Sequence, residues 1–286
     1  MGYAAPRSVG EATKLLGSTP SARVFAGATD LLPQFQAGRS RPDLMIDIKR
    51  IPRLTAFQKR GSTWTIGAAT PAARIVEEQQ FGMDFPGVSE AVALIGSNQI
   101  QSRASLGGNL CNASPAADTV PALLVNDAQV VIATVDGTRS MPAEYVATGP
   151  GQTSLEDGEF VIEFALECRP PGTSDAYLRF IPRTEMDIAV VGAAASVTLD
   201  ESGKCLAASL VLGAVAPTAI RVSEAEAMLV GRRIDDDLLN ELAVAASAAC
   251  RPIDDKRGTI DFRRKVAGVL TRRVVRIAAL RAGGDR

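Results

Sequence analysis

Apolar and polar positions change period repeatedly along the chain, and each change predicts a short element. Ser8 and Glu11 form an S-x-x-E capping box for a first helix that ends near Gly17. Residues 23–26 read as a buried strand that runs through small residues into a helix starting near Thr29 or Asp30. A second strand over 44–48 leads to a turn at Pro52. This β-α-β order predicts a small lobe of about fifty residues with a parallel strand pair. Alternation over 54–68, broken at Lys59-Arg60-Gly61, predicts a hairpin. Thr70 and Pro71 read as N-cap and first residue of a helix, and 88–95 as another helix. Residues 129–135 and 139–142 flank Asp136-Gly137 as a further hairpin, followed by a strand over 159–167.

The proline- and glycine-rich stretch 169–174 is the best domain boundary, because the pattern shifts beyond it. Residues 176–181, 189–199 and 206–214 predict three strands, the last two joined by a turn at Glu201-Ser202-Gly203. Helices should follow over 222–230, 235–249 and 261–282. An antiparallel sheet backed by helices makes the fold class α+β. No internal repeat is visible.

Composition narrows the partners more than the fold. A chain of 286 residues holds two modest domains or one large one. A formal net charge of −1 argues against nucleic acid. No apolar run approaches the roughly 20 residues that span a bilayer, and the N-terminus lacks the plan of a signal peptide, so the expected location is cytoplasmic. The seven cations of the last predicted helix (Arg263, Arg264, Lys265, Arg272, Arg273, Arg276 and Arg281) alternate with Val266, Val269, Leu270, Val274, Ile277 and Leu280. That pattern favours a helix docked on a core with a solvated basic face over a membrane or acidic-partner surface.

Histidine is absent. A Ser-His-Asp triad, a His-ligated zinc and a His-linked cofactor are thereby excluded. Cys111, Cys168, Cys205 and Cys250 are scattered with no C-x-x-C pair, which fits reduced thiols and no metal site. No residue stands out as a catalytic acid, base or nucleophile.

Two small-residue stretches carry the candidate chemistry. In ASLGGNLCNASPAAD, residues 104–118, Gly107 and Gly108 would let backbone N–H groups approach an anion without Cβ interference. Asn109, Asn112 and Ser114 add polar arms, and Ser114-Pro115 reads as a helix start with Asp118 in its first turn. Glycine pairs also simply build turns. The second stretch, VFAGATDLL over 24–32, delivers a glycine turn from a strand to a helix, another natural phosphate site. Neither G-x-G-x-x-G nor G-x-x-x-x-G-K-[ST] occurs. Two such loops on one chain suit a ligand that carries a pyrophosphate.

VFAGATDLLPQF resembles the first flavin loop, and ASLGGNLCNASPAADTVPALL the second, of the FAD-binding medium subunit of the molybdenum hydroxylases, which include carbon monoxide and xanthine dehydrogenases. TWTIGAATPAARI and YLRFIPRTEMDIAVVGAAASV extend the resemblance over nearly the whole chain. It implies a two-lobed FAD-binding domain of the PCMH type over residues 1–170, with lobes at about 1–53 and 54–170. A C-terminal domain like that of the carbon monoxide dehydrogenase flavoprotein would follow over 175–286, with a three-stranded antiparallel sheet and a helical bundle.

The resemblance assigns non-covalent FAD to Ala26, Gly27, Ala28, Thr29, Asp30 and Leu31 on one wall. Ser105, Leu106, Gly107, Gly108 and Asn109 form the other, with Asp118 on cofactor hydroxyls. By alignment alone, Ile95 and Val161 match apolar flavin contacts, and Arg179 a cation at the isoalloxazine edge. Many relatives have glycine where this chain has Ala28, and alanine disfavours φ > 0, so an ordinary backbone conformation is expected there. The implied role is electron relay. A large subunit would carry the molybdenum cofactor and a small subunit two [2Fe–2S] clusters, in a dimer of heterotrimers, with no metal on this chain. A stand-alone FAD-dependent oxidoreductase and a flavin-free scaffold subunit remain the alternatives.

Overall fold

The computed structural model describes residues 1–39, 41–183 and 186–283. Thr184 and Glu185 of the YLRFIPRTEMDIAVVGAAASV stretch, and the last three residues of the expected C-terminal domain, lie outside the described residues. The small lobe contains β1 (Gly2–Ala4), α1 (Val9–Ser18), β2 (Arg23–Phe25), α2 (Leu31–Gln36) and β3 (Leu44–Asp47). Its strands form one parallel sheet in the order β1-β3-β2, so the expected pair gains a third member. At three residues, β1 is too short to show alternation. Ser8 Oγ accepts from the Glu11 N–H at 3.2 Å, as the capping box predicts. The Glu11 carboxylate, however, accepts from the Arg7 N–H at 3.0 Å, one residue short of the expected partner.

The larger lobe follows as β4 (Phe57–Arg60), β5 (Thr63–Gly67), α3 (Ala72–Glu77), α4 (Gln79–Asp84), α5 (Pro86–Ala93), α6 (Asn98–Gln101), α7 (Leu106–Cys111), α8 (Thr119–Val125), β6 (Gln129–Thr134), β7 (Gly137–Pro142), β8 (Ala147–Gly149), β9 (Gln152–Thr153) and β10 (Phe160–Glu167). Five of the strands form an antiparallel sheet, β4-β5-β10-β6-β7. Phe81, Phe85, Leu106, Leu110, Leu123 and Phe164 fill the core between it and the helices. The helix expected from Thr70-Pro71 starts one residue later, with Pro71 at the N-cap position. The Thr70 hydroxyl donates instead to the Ala56 carbonyl at 3.2 Å, tying that corner to the neighbouring strand.

The C-terminal domain opens with β11 (Thr173–Phe180), β12 (Val191–Leu199), β13 (Cys205–Gly213) and β14 (Ile220–Arg221). They make a four-stranded antiparallel sheet, the three expected strands plus a two-residue edge strand. Three helices back it: α9 (Ser223–Leu229), α10 (Asp236–Ala249) and α11 (Ile260–Gly283). The basic helix α11 docks on β11, β12 and α10 through its apolar stripe. One of its cations is buried: Arg263 donates to the Val190 carbonyl at 2.6 Å and pairs with Asp255 at 2.7 Å.

Alternation along β11 joins the two domains. Ala176, Leu178 and Phe180 face the helices of the C-terminal core, whereas Tyr177 enters the core of the larger lobe. On that same face lies Asp175, buried at the seam. Its carboxylate accepts from the Gly87 N–H at 3.1 Å and from Asn126 Nδ2 at 2.7 Å. Burial pushes Asp175 up to about 6, although the hydrogen bonds from Asn126 and Gly87 pull the other way. The folded state therefore takes up this proton before the unfolded chain does as pH falls. The stabilising contribution of this group is fully present below about pH 4 and is lost as pH rises to about 6, by about 3 kcal/mol. In denaturant titrations, the wild-type minus Asp175→Asn difference in unfolding free energy should fall by that amount between pH 4 and pH 7. A flat difference would remove Asp175 as the cause.

Candidate functional site

A cleft of about 1030 Å³ runs between the two lobes of the first domain. Its first wall is the turn that leaves β2. The amide N–H groups of Gly27, Ala28, Thr29, Asp30 and Leu31 have no hydrogen-bond partner among the described residues, and α2 has no side-chain cap. Five consecutive unspent donors on the cleft wall form a site for an anion. Ala28 departs from expectation: its φ is +58°, in the left-handed region. The reason is the sharp turn into α2, where the Ala28 carbonyl accepts the Leu32 N–H at 3.0 Å. Alanine tolerates this for about 1–2 kcal/mol.

Lys49 anchors the base of this turn. Its ammonium donates to the Ala26 carbonyl at 2.8 Å, pairs with Asp47 at 2.7 Å, and sits 4.6 Å from the centroid of the Phe25 ring. Asp47 also accepts from Tyr3 at 3.0 Å.

The second wall is helical. Ser105 caps α7, its Oγ accepting the Gly108 N–H at 3.2 Å, and the Gly107 N–H donates to the Ala68 carbonyl at 3.1 Å. The glycine N–H groups thus have internal partners, contrary to the expected anion nest. Their value is steric. A Cβ on Gly107 would lie 2.5 Å from the Ala68 carbonyl oxygen, whereas one on Gly108 would meet only Ser105 Oγ at 3.4 Å and face the cleft. A Cβ on Gly27 would collide with the Arg103 carbonyl, so the two walls touch backbone to backbone. Gln34 Nε2 adds a 3.0 Å bond to Asn112 Oδ1 across the same junction.

The structure brings together most of the expected site. Residues 26–31, Ile95, Ser105, Gly107, Gly108, Asn109 and Val161 all line the cleft. Leu106, Asp118 and Arg179 do not. Leu106 points into the core of the larger lobe because it follows the N-cap of α7. Asp118 is turned toward the C-terminal domain, where its carboxylate accepts from Tyr177 Oη at 2.8 Å and pairs with Arg179 at 2.6 Å. Burial raises Asp118 above the ordinary carboxylate range, against the pull of the Arg179 charge and of both hydrogen bonds. Ser114-Pro115 does not open a helix: α8 begins at Thr119, and the Ala117 N–H closes a turn on the Ser114 carbonyl at 3.0 Å.

Sequence reasoning missed the part of the cleft formed by residues 16–22 and 155–160. Cys111 does line it, but burial pushes the thiol up to about 12, so it stays protonated. Among the described residues no group of three or more His, Cys, Asp and Glu is placed to hold a metal, and no helix is long and apolar enough to cross a membrane.

Known proteins share this arrangement. Residues 1–166 match the FAD binding domain in molybdopterin dehydrogenase, and residues 176–278 the CO dehydrogenase flavoprotein C-terminal domain. The carbon monoxide dehydrogenase medium chain of Hydrogenophaga pseudoflava is 33% identical over 278 residues, 96% of each chain. The xanthine dehydrogenase FAD-binding subunit of Escherichia coli O157:H7 is 29% identical over 284 residues, 99% of this chain and 97% of its own. A solved carbon monoxide dehydrogenase from Hydrogenophaga pseudoflava superposes with a TM-score of 0.94 at 33% identity, over 98% of both chains. With cleft, walls and both domains accounted for, this chain belongs to the FAD-binding subunits of the molybdenum hydroxylase family and is an oxidoreductase subunit.

Proposed function

We propose that this chain is the electron-relay subunit of a multi-subunit molybdenum hydroxylase. It would take electrons from the [2Fe–2S] clusters of a small subunit and pass them to an external acceptor. The observation that carries the reading is the row of unspent N–H donors over residues 27–31, set against a glycine-lined second wall. A diphosphate needs such donors, and the cleft volume of about 1030 Å³ suits a dinucleotide, at the upper end of the usual range for cofactor pockets. The residues present therefore fit FAD. When bound, the flavin supplies a redox centre that handles electrons singly or in pairs.

The chain's own groups have simpler tasks. The N–H groups of residues 27–31 and the Thr29 hydroxyl hold the pyrophosphate, while Gly108 and Ser105 shape the opposite side. Ile95 and Val161 exclude water from the flavin. Asp118 and Arg179 pair with each other at the domain seam and do not line the cleft. Binding would be non-covalent, with no histidine present to link the flavin. No residue needs to act as an acid or base.

The same reading divides the chain into an FAD-binding domain, residues 1–170, and a C-terminal domain, residues 175–286. It adds a large subunit with the molybdenum cofactor, a dimer of heterotrimers and a cytoplasmic location. The names of the two relatives support substrate selection on another chain. One relative belongs to a carbon monoxide enzyme and the other to a xanthine enzyme, at comparable identity to this chain.

The test is the flavin content of the complex purified with all its subunits. Wild type should show a flavin band releasable by acid, and Gly108→Arg, which adds a long side chain at a cleft-lining position where a Cβ meets Ser105 Oγ at 3.4 Å, should lose it together with acceptor reduction. A wild-type complex without flavin would sink the proposal. Retained acceptor reduction in flavin-free Gly108→Arg would favour a scaffold.

A further inference from the structure

The short helix α8 is held at both ends by side chains from the C-terminal domain and from the segment that leads into it. At its leading end, Tyr177 and Arg179 bind Asp118. At its trailing end, Arg221 Nη2 donates to the Leu124 carbonyl at 3.0 Å, and Arg169 Nη2 to the Val125 carbonyl at 3.2 Å. Asn126, which follows, reaches the Asp175 carboxylate. Terminal carbonyls of a helix have no partner within it, and two guanidinium groups both satisfy them and oppose the negative end of the dipole. All seven residues of α8 are buried, and the helix packs on β11, β12 and β13. It also packs on α5 and α7 of the first domain, so both domains together set its place.

In turn, α8 holds the glycine wall. Asn109 Oδ1 accepts both the Thr119 hydroxyl at 2.6 Å and the Thr119 N–H at 3.3 Å. Asn109 stands on α7 beside Gly108, and both line the cleft. Thr119 is fully buried and does not line it. A continuous path of hydrogen bonds and packing therefore leads from the C-terminal sheet, through α8, to one wall of the cleft.

We propose that Thr119 is a positioning residue for the cofactor: through Asn109 it passes the seat of α8, held in part by the C-terminal domain, to the wall carried by α7. This rests on the flavin reading of the cleft. With its carbonyl oxygen taken by two donors, Asn109 is a braced part of the wall. Thr119→Val keeps the shape of the side chain and removes the stronger of those bonds. Asn109 Oδ1 is then left with the longer N–H contact, and the wall gains freedom that bound FAD must remove.

The experiment measures FAD dissociation from the complete complex by the fluorescence of released cofactor, with melting temperature as a separate readout. Thr119→Val should raise the Kd about tenfold, and Thr119→Ser, which keeps the hydroxyl, should return it to near the wild-type value. Arg221→Met, remote from the cleft, should weaken FAD in the same direction, and the double variant should lose less than the two effects combined, because both act on one path. Arg221→Met alone decides the matter if Thr119→Val proves insoluble: unchanged FAD affinity in it would overturn the proposal. Unchanged affinity in Thr119→Val, equal weakening by Thr119→Ser, or strict additivity with Arg221→Met would overturn the proposal. A wild-type complex that binds no FAD would instead overturn the flavin reading beneath it.

Discussion

Gly27→Ala should leave the complex with less than about a tenth of its flavin while lowering stability by about 1–3 kcal/mol, the usual cost of forcing extra volume into a packed site. The methyl group would meet the carbonyl carbon and oxygen of Arg103, and backbone atoms cannot swing aside as a side chain does. Relief requires the first wall to move away from residues 102–105, which lead into the cap of α7. That motion separates the N–H donors of residues 27–31 from the glycine wall, so one added carbon acts on both sides of the site. Gly27 does not lie at positive φ, so backbone strain makes no contribution here. Flavin absorbance per protein, read beside a melting curve, checks both parts. Full flavin content in a folded Gly27→Ala complex would show that the walls can part without losing the ligand.

Residues 23–31 and 104–109 were legible because their function is local. Small residues between a strand and a helix announce a tight turn whatever surrounds it. The conformation of Ala28 was not legible, since its side chain disfavours what the turn into α2 imposes on it. Nor was the start of α8: Ser114-Pro115 carries a good helix signal, yet Asn109 supplies a carbonyl oxygen for Thr119 from another helix. Long-range partners explain the remaining difference. Asp118 lies in the glycine stretch by sequence, but Tyr177 and Arg179, about sixty residues further on, turn it toward the seam. The rest of the cleft was hidden for the same reason, because residues 155–160 join residues 16–22 only through the fold.

Arg179→Met should cost about 3–5 kcal/mol of stability, the penalty for leaving a buried charge without its partner. Both side chains are largely shielded, at 7% exposure for Arg179 and 12% for Asp118. With the guanidinium gone, the Tyr177 hydroxyl is the one group among the described residues that still supports the carboxylate. Burial already holds Asp118 above its ordinary value against the pull of Arg179, so the variant moves it further up. A carboxyl raised in the folded state favours folding while it is protonated. The loss should therefore be small near pH 4 and grow as pH rises through the new folded value. Adding Asp118→Asn should recover most of the stability at neutral pH, because the stranded charge is then absent. Denaturant unfolding of the four proteins at pH 4 and pH 8 measures the coupling directly. A loss equal at both pH values, or unrelieved by Asp118→Asn, would mean that packing of the Arg179 stem, and not its charge, holds the two domains together at this point.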